Sequence, residues 1–225
     1  MDFVIAVDGT AASGKGTLAG KLAAHYGLPH LDTGLLYRAV GHGVLAQGDN
    51  LADAEAAAGV AQRLDLSRLD DPALQSGESG EAASRVAAYP GVRAALLKLQ
   101  QDFARQPGGA VLDGRDIGTV IAPFAPAKLY VDAALETRAR RRWMQTSAQA
   151  LERGGDVRTL NEMIEDLRRR DARDSGRSAA PLARASDAVL LDTTSMSISE
   201  VFDEALRIVE QARRLMLQSK DRGQG

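Results

Sequence analysis

Apolar positions along this chain fall into two alternating patterns. Short, nearly unbroken apolar runs occur at FVIAVD (3–8), LPHLD (28–32), GAVLDG (109–114), AKLYVD (127–132) and DAVLLD (187–192). Between them lie longer stretches in which apolar residues recur at helical spacing: 15–26, 34–47, 81–105, 134–150, 158–174 and 197–216. A strand without a polar face has to be buried on both sides, and helices are what cover it when they connect parallel neighbours. The pattern therefore predicts an α/β fold: an open five-stranded parallel sheet with helices on both faces. Ser197 to Glu200 has the Ser-x-x-Glu form of a capping box, and Pro90-Gly91 divides 81–105 into two helices. Gly27-Leu28-Pro29 ends the first helix. Residues 48–80 are rich in Ala, Asp and Gly with little β character, which predicts a helical excursion and a mobile loop, and 217–225 reads as a frayed tail. No repeat of roughly 20 to 50 residues is present.

Composition narrows the class. With 225 residues, 44% hydrophobic and 26% charged, the chain can bury one sizeable core. No apolar run approaches the roughly 20 residues that span a bilayer. The first ten residues carry no basic leader and no small-residue cleavage site, so no export signal is expected. Cysteine is absent, which excludes disulfides, thiolate metal sites and a thiol nucleophile and fits the cytoplasm. A net charge of −2 argues against a general nucleic-acid or acidic-membrane binder. Of 28 basic residues only five are lysines (Lys15, Lys21, Lys98, Lys128 and Lys220). Arginine's planar fork suits phosphate recognition, although on composition alone arginine-rich codon usage is the preferred reading.

The first run leads straight into GTAASGKGT, residues 9–17. In a Gly-rich turn after a buried strand, successive backbone N–H groups converge on one point and make an anion nest, strengthened by the dipole of the helix that follows. The expected ATP-binding residues are Gly9, Thr10, Ala11, Ala12, Ser13, Gly14, Lys15, Gly16 and Thr17. Lys15 supplies a cation for the β- and γ-phosphates, and the Thr17 hydroxyl can help hold Mg²⁺. Gly16 separates the lysine from the hydroxyl. Gly-Lys-Gly-Thr is the form seen in nucleoside monophosphate kinases, which points to small-molecule phosphoryl transfer. Asp113 ends a strand beside this loop, where a carboxylate can orient water on Mg²⁺.

Four further clusters accompany the loop: LDTGLLYR (31–38), SRVAAYPGVR (84–93), LDGRDIGT (112–119) and RRRDARDSGRSAAPL (168–182). With it they closely resemble the bacterial cytidylate kinases, from about residue 3 to 214. The resemblance implies a P-loop kinase-type sheet with a core of about 1–47, 106–150 and 183–216, a small acceptor-binding insert of about 48–105 and a lid of about 151–182. It implies transfer of the ATP γ-phosphoryl group to CMP or dCMP, with Mg²⁺ as cofactor, by a monomer with no nucleic-acid or membrane partner. Thr33 (where the family commonly has Ser), Tyr37, Arg38, Ser84, Arg93, Arg115, Asp116, Arg170, Asp174 and Arg177 match the acceptor site. Arg38 and Arg115, read as lying at strand ends, match the residues on the acceptor phosphate. Ser84 and Arg93 match those that read cytosine, Arg170 and Asp174 the ribose, and Arg177 the base side. Lys15, Arg115, Asp116 and Arg173 are the catalytic candidates. The insert is shorter than the family's, and its strand-rich part is missing. His25, His30 and His42 have no ligand-like spacing and read as structural or surface residues.

Other readings remain open on the sequence. A kinase of the same fold could use UMP, AMP or shikimate. A guanine-reading switch would need Asn-Lys-x-Asp, and no lysine here follows Asn. A nucleic-acid module could use the arginines of 138–142 and 168–177, against which stand the net charge and a 4% aromatic content.

Overall fold

The computed structural model describes residues 2–152 and 157–222, without side chains at 149–152 and 220–222. Five strands form one sheet: β1 (Phe3–Gly9), β2 (His30–Asp32), β3 (Gly109–Gly114), β4 (Ala127–Asp132) and β5 (Val189–Asp192). Their order is β2-β3-β1-β4-β5, with β1–β3, β1–β4 and β4–β5 all parallel. The apolar runs therefore became strands as expected. Val4 to Val7 and Ala110 to Leu112 are buried throughout, as unbroken apolar strands require. Eight α-helices are described: α1 (Lys15–Tyr26), α2 (Thr33–Ala46), α3 (Ala54–Gln62), α4 (Gly77–Val86), α5 (Pro90–Ala104), α6 (Leu135–Glu152), α7 (Leu160–Ser175) and α8 (Ile198–Arg222). Residues 48–80 hold α3, two short 3₁₀ turns (Leu66–Arg68 and Pro72–Gln75) and the start of α4, and no strand is described between residues 33 and 108.

Two compact units divide the chain. Unit 1 comprises Met1–Leu31, Gln101–Ala134 and Ala183–Gly225; unit 2 comprises Asp32–Gln100 and Leu135–Leu182. Helices α2 and α6, assigned to the core on sequence, fall in unit 2. In unit 1, Ile5, Val7, Val111, Leu129 and Val131 point to one face of the sheet and pack with Leu18 and Leu22 of α1 and Ala205, Ile208 and Val209 of α8. The Ser197–Glu200 capping box forms in both directions, Ser197 N–H to Glu200 at 2.8 Å and Glu200 N–H to Ser197 Oγ at 3.3 Å. Helix α8 runs on to Arg222, beyond the expected end at 216. LMLQSKDR contains no Gly or Pro, so nothing in it stops a helix; residues 223–225 lie outside the described ones.

In unit 2, α2 and α4 pack closely, because Gly41 has no side chain and a Cβ there would lie 2.8 Å from Ala82 Cβ. α7 opens with a full capping box between Thr159 and Glu162. Arg138 of α6 pairs with Asp171 of α7 at 2.8 Å.

One glycine sets the exit from β1. Gly9 has φ +152, and a Cβ on it would lie 2.0 Å from the Val131 carbonyl oxygen of β4. Backbone cannot yield as a side-chain tip can. Gly9→Ala is therefore expected to lower Tm by more than about 10 °C or to prevent soluble expression, because overpacking typically costs about 1–3 kcal/mol and more against backbone. Thermal unfolding checks it; an unchanged Tm would mean that β4 is not seated on this residue.

Candidate active site

The phosphate loop is shaped by backbone conformation first. Ala12 (φ 60) and Gly14 (φ 88) both take positive φ, so the amides around them turn inward instead of following the strand. Alanine there is strained, and a non-glycine residue held in this region points to a constrained functional loop. Gly14 is the N-cap of α1 with no side-chain cap, which leaves the first amides of the helix available to an anion. The loop is tied down from unit 1's other strands. Thr10 Oγ1 donates to Asp132 Oδ1 at 2.7 Å, Ser13 Oγ donates to Thr10 O at 3.1 Å, and Thr193 Oγ1 donates to Ser13 O at 3.4 Å. Lys15 Nζ lies 3.4 Å from Thr10 O, folded over the loop it serves. On sequence Asp132 stood only among the strand-ending acids Asp8, Asp32, Asp113, Asp132 and Asp192, some of which were expected to face the site, and Thr193 was not singled out. A strand-ending Asp was a visible signal, but only strand order puts Asp132 beside Thr10.

Asp113 is buried at the end of β3. It shares the face of Val111, toward α1. Its Oδ2 is 3.7 Å from where a Cβ on Gly16 would be, at the first turn of α1 and next to Thr17, whose side chain is exposed. Its Oδ1 is 2.8 Å from His30 Nε2. His30, read from the sequence as structural or surface, thus contacts the carboxylate proposed for the metal. β2 and β3 are neighbours, which the sequence pattern did not specify. A hard cation takes oxygen ligands, and Mg²⁺ is usually held by one or two carboxylates together with substrate phosphates. The carboxylate of Asp113 and the hydroxyl of Thr17 are of the right chemistry. No group of three or more His, Cys, Asp or Glu side chains placed to hold a metal ion is found among the described residues.

Arg115 and Asp116 follow β3 directly, and Asp116 is buried. A single π-helical turn, Ile117–Ile121, comes next. These residues, the phosphate loop and Asp113 all belong to unit 1.

The remaining candidates belong to unit 2. Arg38 lies in the second turn of α2, not at a strand end, because α2 begins at Thr33 immediately after β2. Asp32 caps this helix, accepting from Gly34 N–H at 2.9 Å, and Thr33 is buried at its start. Arg38 Nη1 donates to Leu74 O at 2.7 Å and Ser76 O at 3.0 Å. A Cβ built at Gly80 would lie 3.2 Å from Arg170 Nη1 and 3.3 Å from Arg38 Nη2, so two guanidinium groups converge over one small residue of α4. Two guanidinium forks placed this close have the donor geometry to hold one anion between them. Arg93 stacks over the Tyr37 ring at 5.4 Å. Ser84 Oγ donates to Asp174 Oδ1 at 3.0 Å, joining the expected base reader to the expected ribose ligand. Arg173 pairs with Glu81 of α4 at 2.8 Å. Arg170, Arg173 and Asp174 share one face of α7; Arg177 lies past the helix end, its Nε donating to Asp174 O at 3.1 Å. Unit 2 thus contains Thr33, Tyr37, Arg38, Ser84, Arg93, Arg170, Arg173, Asp174 and Arg177, with Arg38 beside Arg170, Tyr37 beside Arg93 and Asp174 beside both Ser84 and Arg177. Of the expected lid, residues 153–156 lie outside the described ones.

A parallel sheet that launches a lysine-bearing anion nest from its central strand, with a second cluster of arginines elsewhere in the chain, defines a P-loop phosphotransferase acting on a small phosphorylated acceptor. The family model for cytidylate kinase matches residues 5–211. A cytidylate kinase of Caulobacter vibrioides is 60% identical over 213 residues, covering 95% of this chain and 98% of that protein. One from Xanthobacter autotrophicus is 61% identical over 212 residues, covering 94% and 99%, and one from Methylocella silvestris 54% identical over 210, covering 93% and 95%. The chain belongs to the cytidylate kinase family.

Proposed function

We propose that this chain transfers the γ-phosphoryl group of ATP to CMP or dCMP, giving ADP and CDP or dCDP, by direct in-line transfer. The observation that carries this reading is the pairing, in a member of this family, of a lysine-bearing anion nest with a second cluster in which Arg38 and Arg170 converge beside Ser84 and Arg93. An oxygen of the CMP phosphate attacks the γ-phosphorus as the bond to the β,γ-bridging oxygen breaks, and ADP leaves with that oxygen. The attacking oxygen is already ionised, so no strong base is needed, and the protein's task is to position two polyanions and neutralise charge. The loop amides and Lys15 hold the β- and γ-phosphates. Arg38 and Arg115 hold the acceptor phosphate, with Asp116 beside it. Ser84 and Arg93 read the cytosine edge, Arg170 and Asp174 the ribose, and Arg177 the base side; Arg173 serves the donor phosphates once released from Glu81. Mg²⁺ held by Thr17 and, through water, by Asp113 would neutralise charge on the phosphates. Ser79 Oγ and Arg173 Nη1 are buried without a hydrogen bond to any described residue, which leaves donors for a bound nucleotide.

No described helix is long and apolar enough to cross a membrane. A monomer working in the cytoplasm without nucleic-acid or membrane partners completes the proposal. ADP release with ATP and Mg²⁺ across CMP, dCMP, UMP, AMP and shikimate tests it: strong turnover is expected only with CMP and dCMP. Equal use of UMP would overturn the base reading. Arg93→Ala in the same assay should raise KM for CMP by about 10- to 100-fold and leave that for ATP within about twofold, as loss of one charged hydrogen bond of about 1.5–3 kcal/mol implies. Equal effects on both substrates would make Arg93 structural.

A further inference from the structure

Asp8 occupies the end of β1, directly before the phosphate loop. Side chains alternate along a strand, so Asp8 points away from the α1 face that Val7 and Asp113 share. On that other face its carboxylate is fully engaged: Oδ1 accepts the Ile117 N–H at 2.7 Å and Oδ2 accepts the Gly118 N–H at 2.7 Å. These are the first two amides of the π-helical turn that follows Asp116, and the bonds span 109 and 110 residues of sequence. The Asp116 side chain at the N-cap position does not cap the turn. A buried carboxylate gripping two consecutive amides fixes both the position and the direction of that turn.

We propose that Asp8 is a positioning residue: its carboxylate clamps the turn after Asp116 to the strand that launches the phosphate loop, and so sets where Arg115 and Asp116 stand relative to Lys15. This rests on the assignment of Arg115 and Asp116 to the acceptor. The same carboxylate then links the donor's cradle to residues that hold the acceptor, with no contact to either nucleotide.

The clamp works in its ionised form, because only then do both oxygens accept. Burial raises the Asp8 carboxyl to about 6; the Gly118 and Ile117 amides and Lys15 pull it down, and Asp116 pushes it up. Lys128 of β4, paired with Asp187 at 2.6 Å, has its Cδ 3.2 Å from where a Cβ on Gly118 would be, a point 3.3 Å from Asp8 Oδ2. A carboxyl whose folded value exceeds its unfolded one adds most stability below the unfolded value and loses it as pH rises through the folded one. The protein therefore gives up stability near pH 7 to keep Asp8 charged. Asp8→Asn imitates the neutral acid, can accept only one amide, and is expected to fold.

The experiment compares wild type with Asp8→Asn at pH 7.5, measuring kcat, KM for CMP, ATP affinity by calorimetry and hydrogen exchange of individual amides. Expected are a fall of about 100-fold in kcat/KM for CMP, ATP affinity within about twofold, and exchange at Ile117 and Gly118 accelerated at least about tenfold while β3 amides are unchanged. In wild type alone, acidification from pH 7.5 to 5 should lower protection at the same two amides, a readout that stands even if the variant does not fold. Unchanged protection at Ile117 and Gly118 in the variant, or on acidification, would overturn the clamp. So would parallel loss of ATP binding and turnover, which would make Asp8 a general support of β1. Accelerated exchange with unchanged CMP kinetics would leave the clamp in place but refute its positioning role. Arg115→Ala, run alongside, separates the two assumptions: if it leaves CMP kinetics untouched, the acceptor assignment fails while the exchange result still judges the clamp.

Discussion

Lys15→Met should lower kcat on the order of 10³-fold while the protein stays folded, the scale set by removing a preorganised charge from a developing oxyanion. The reason is local. Negative charge spreads over the transferred group in the transition state, and the backbone nest built on Ala12 and Gly14 offers only partial charges. Lys15 is the full cation of that loop, already drawn over it by Thr10 O at 3.4 Å. Methionine keeps the length and the helical preference of the residue, so α1 should form unchanged. Steady-state turnover, with circular dichroism and Tm as folding controls, checks the result. ATP affinity should fall less than turnover, because the amides still bind phosphate. Turnover within about tenfold of wild type would mean that the loop does not bind the transferred phosphoryl group.

The second large effect lies in the other unit. Arg38→Ala should reduce kcat/KM for CMP by about 30- to 4000-fold, which corresponds to the roughly 2–5 kcal/mol lost when one partner of a buried, hydrogen-bonded charge pair is removed. ATP affinity should remain within about twofold, since the donor loop is built entirely in unit 1. Arg38 also holds Leu74 O and Ser76 O, so the alanine variant loosens the 3₁₀ segment as well. Arg38→Lys separates the two roles. Lysine keeps the charge but not the fork, and it should recover Tm more than it recovers CMP binding. Equal recovery of both would assign Arg38 to the fold and leave the acceptor phosphate to other groups.

Much of this protein is written locally. The five strands, the capping box at Ser197, the break at Pro90 and the phosphate loop at 9–17 each follow from residues within a turn or two of one another. Period and turn chemistry are short-range properties, and a single sequence carries them in full. The helix expected over 158–174 was legible for the same reason, and α7 ends at Ser175, before Arg177. Expectations were weaker where the chain lacked a strong local signal. Helix α8 outran its expected end because only tertiary packing or a breaker would have marked one. Arg38 was read as lying at a strand end although the helix expected from residue 34 already contained it; with Asp32 capping α2 directly after β2, Arg38 falls in the second turn.

The strand-ending carboxylates mark the boundary most clearly. Asp8, Asp32, Asp113, Asp132 and Asp192 look alike in the sequence, each closing an apolar run. In the fold Asp8 clamps the turn at Ile117 and Gly118, Asp32 caps α2, Asp113 meets His30, Asp132 anchors Thr10, and Asp192 closes a turn onto Thr194. The sequence alone determined that these residues would stand together at the carboxyl end of a parallel sheet. Which of them would serve the phosphate loop, a helix or a neighbouring turn depended on strand order and on the side of the sheet each faced. Those are set by partners on distant segments of chain, and no local pattern encodes them.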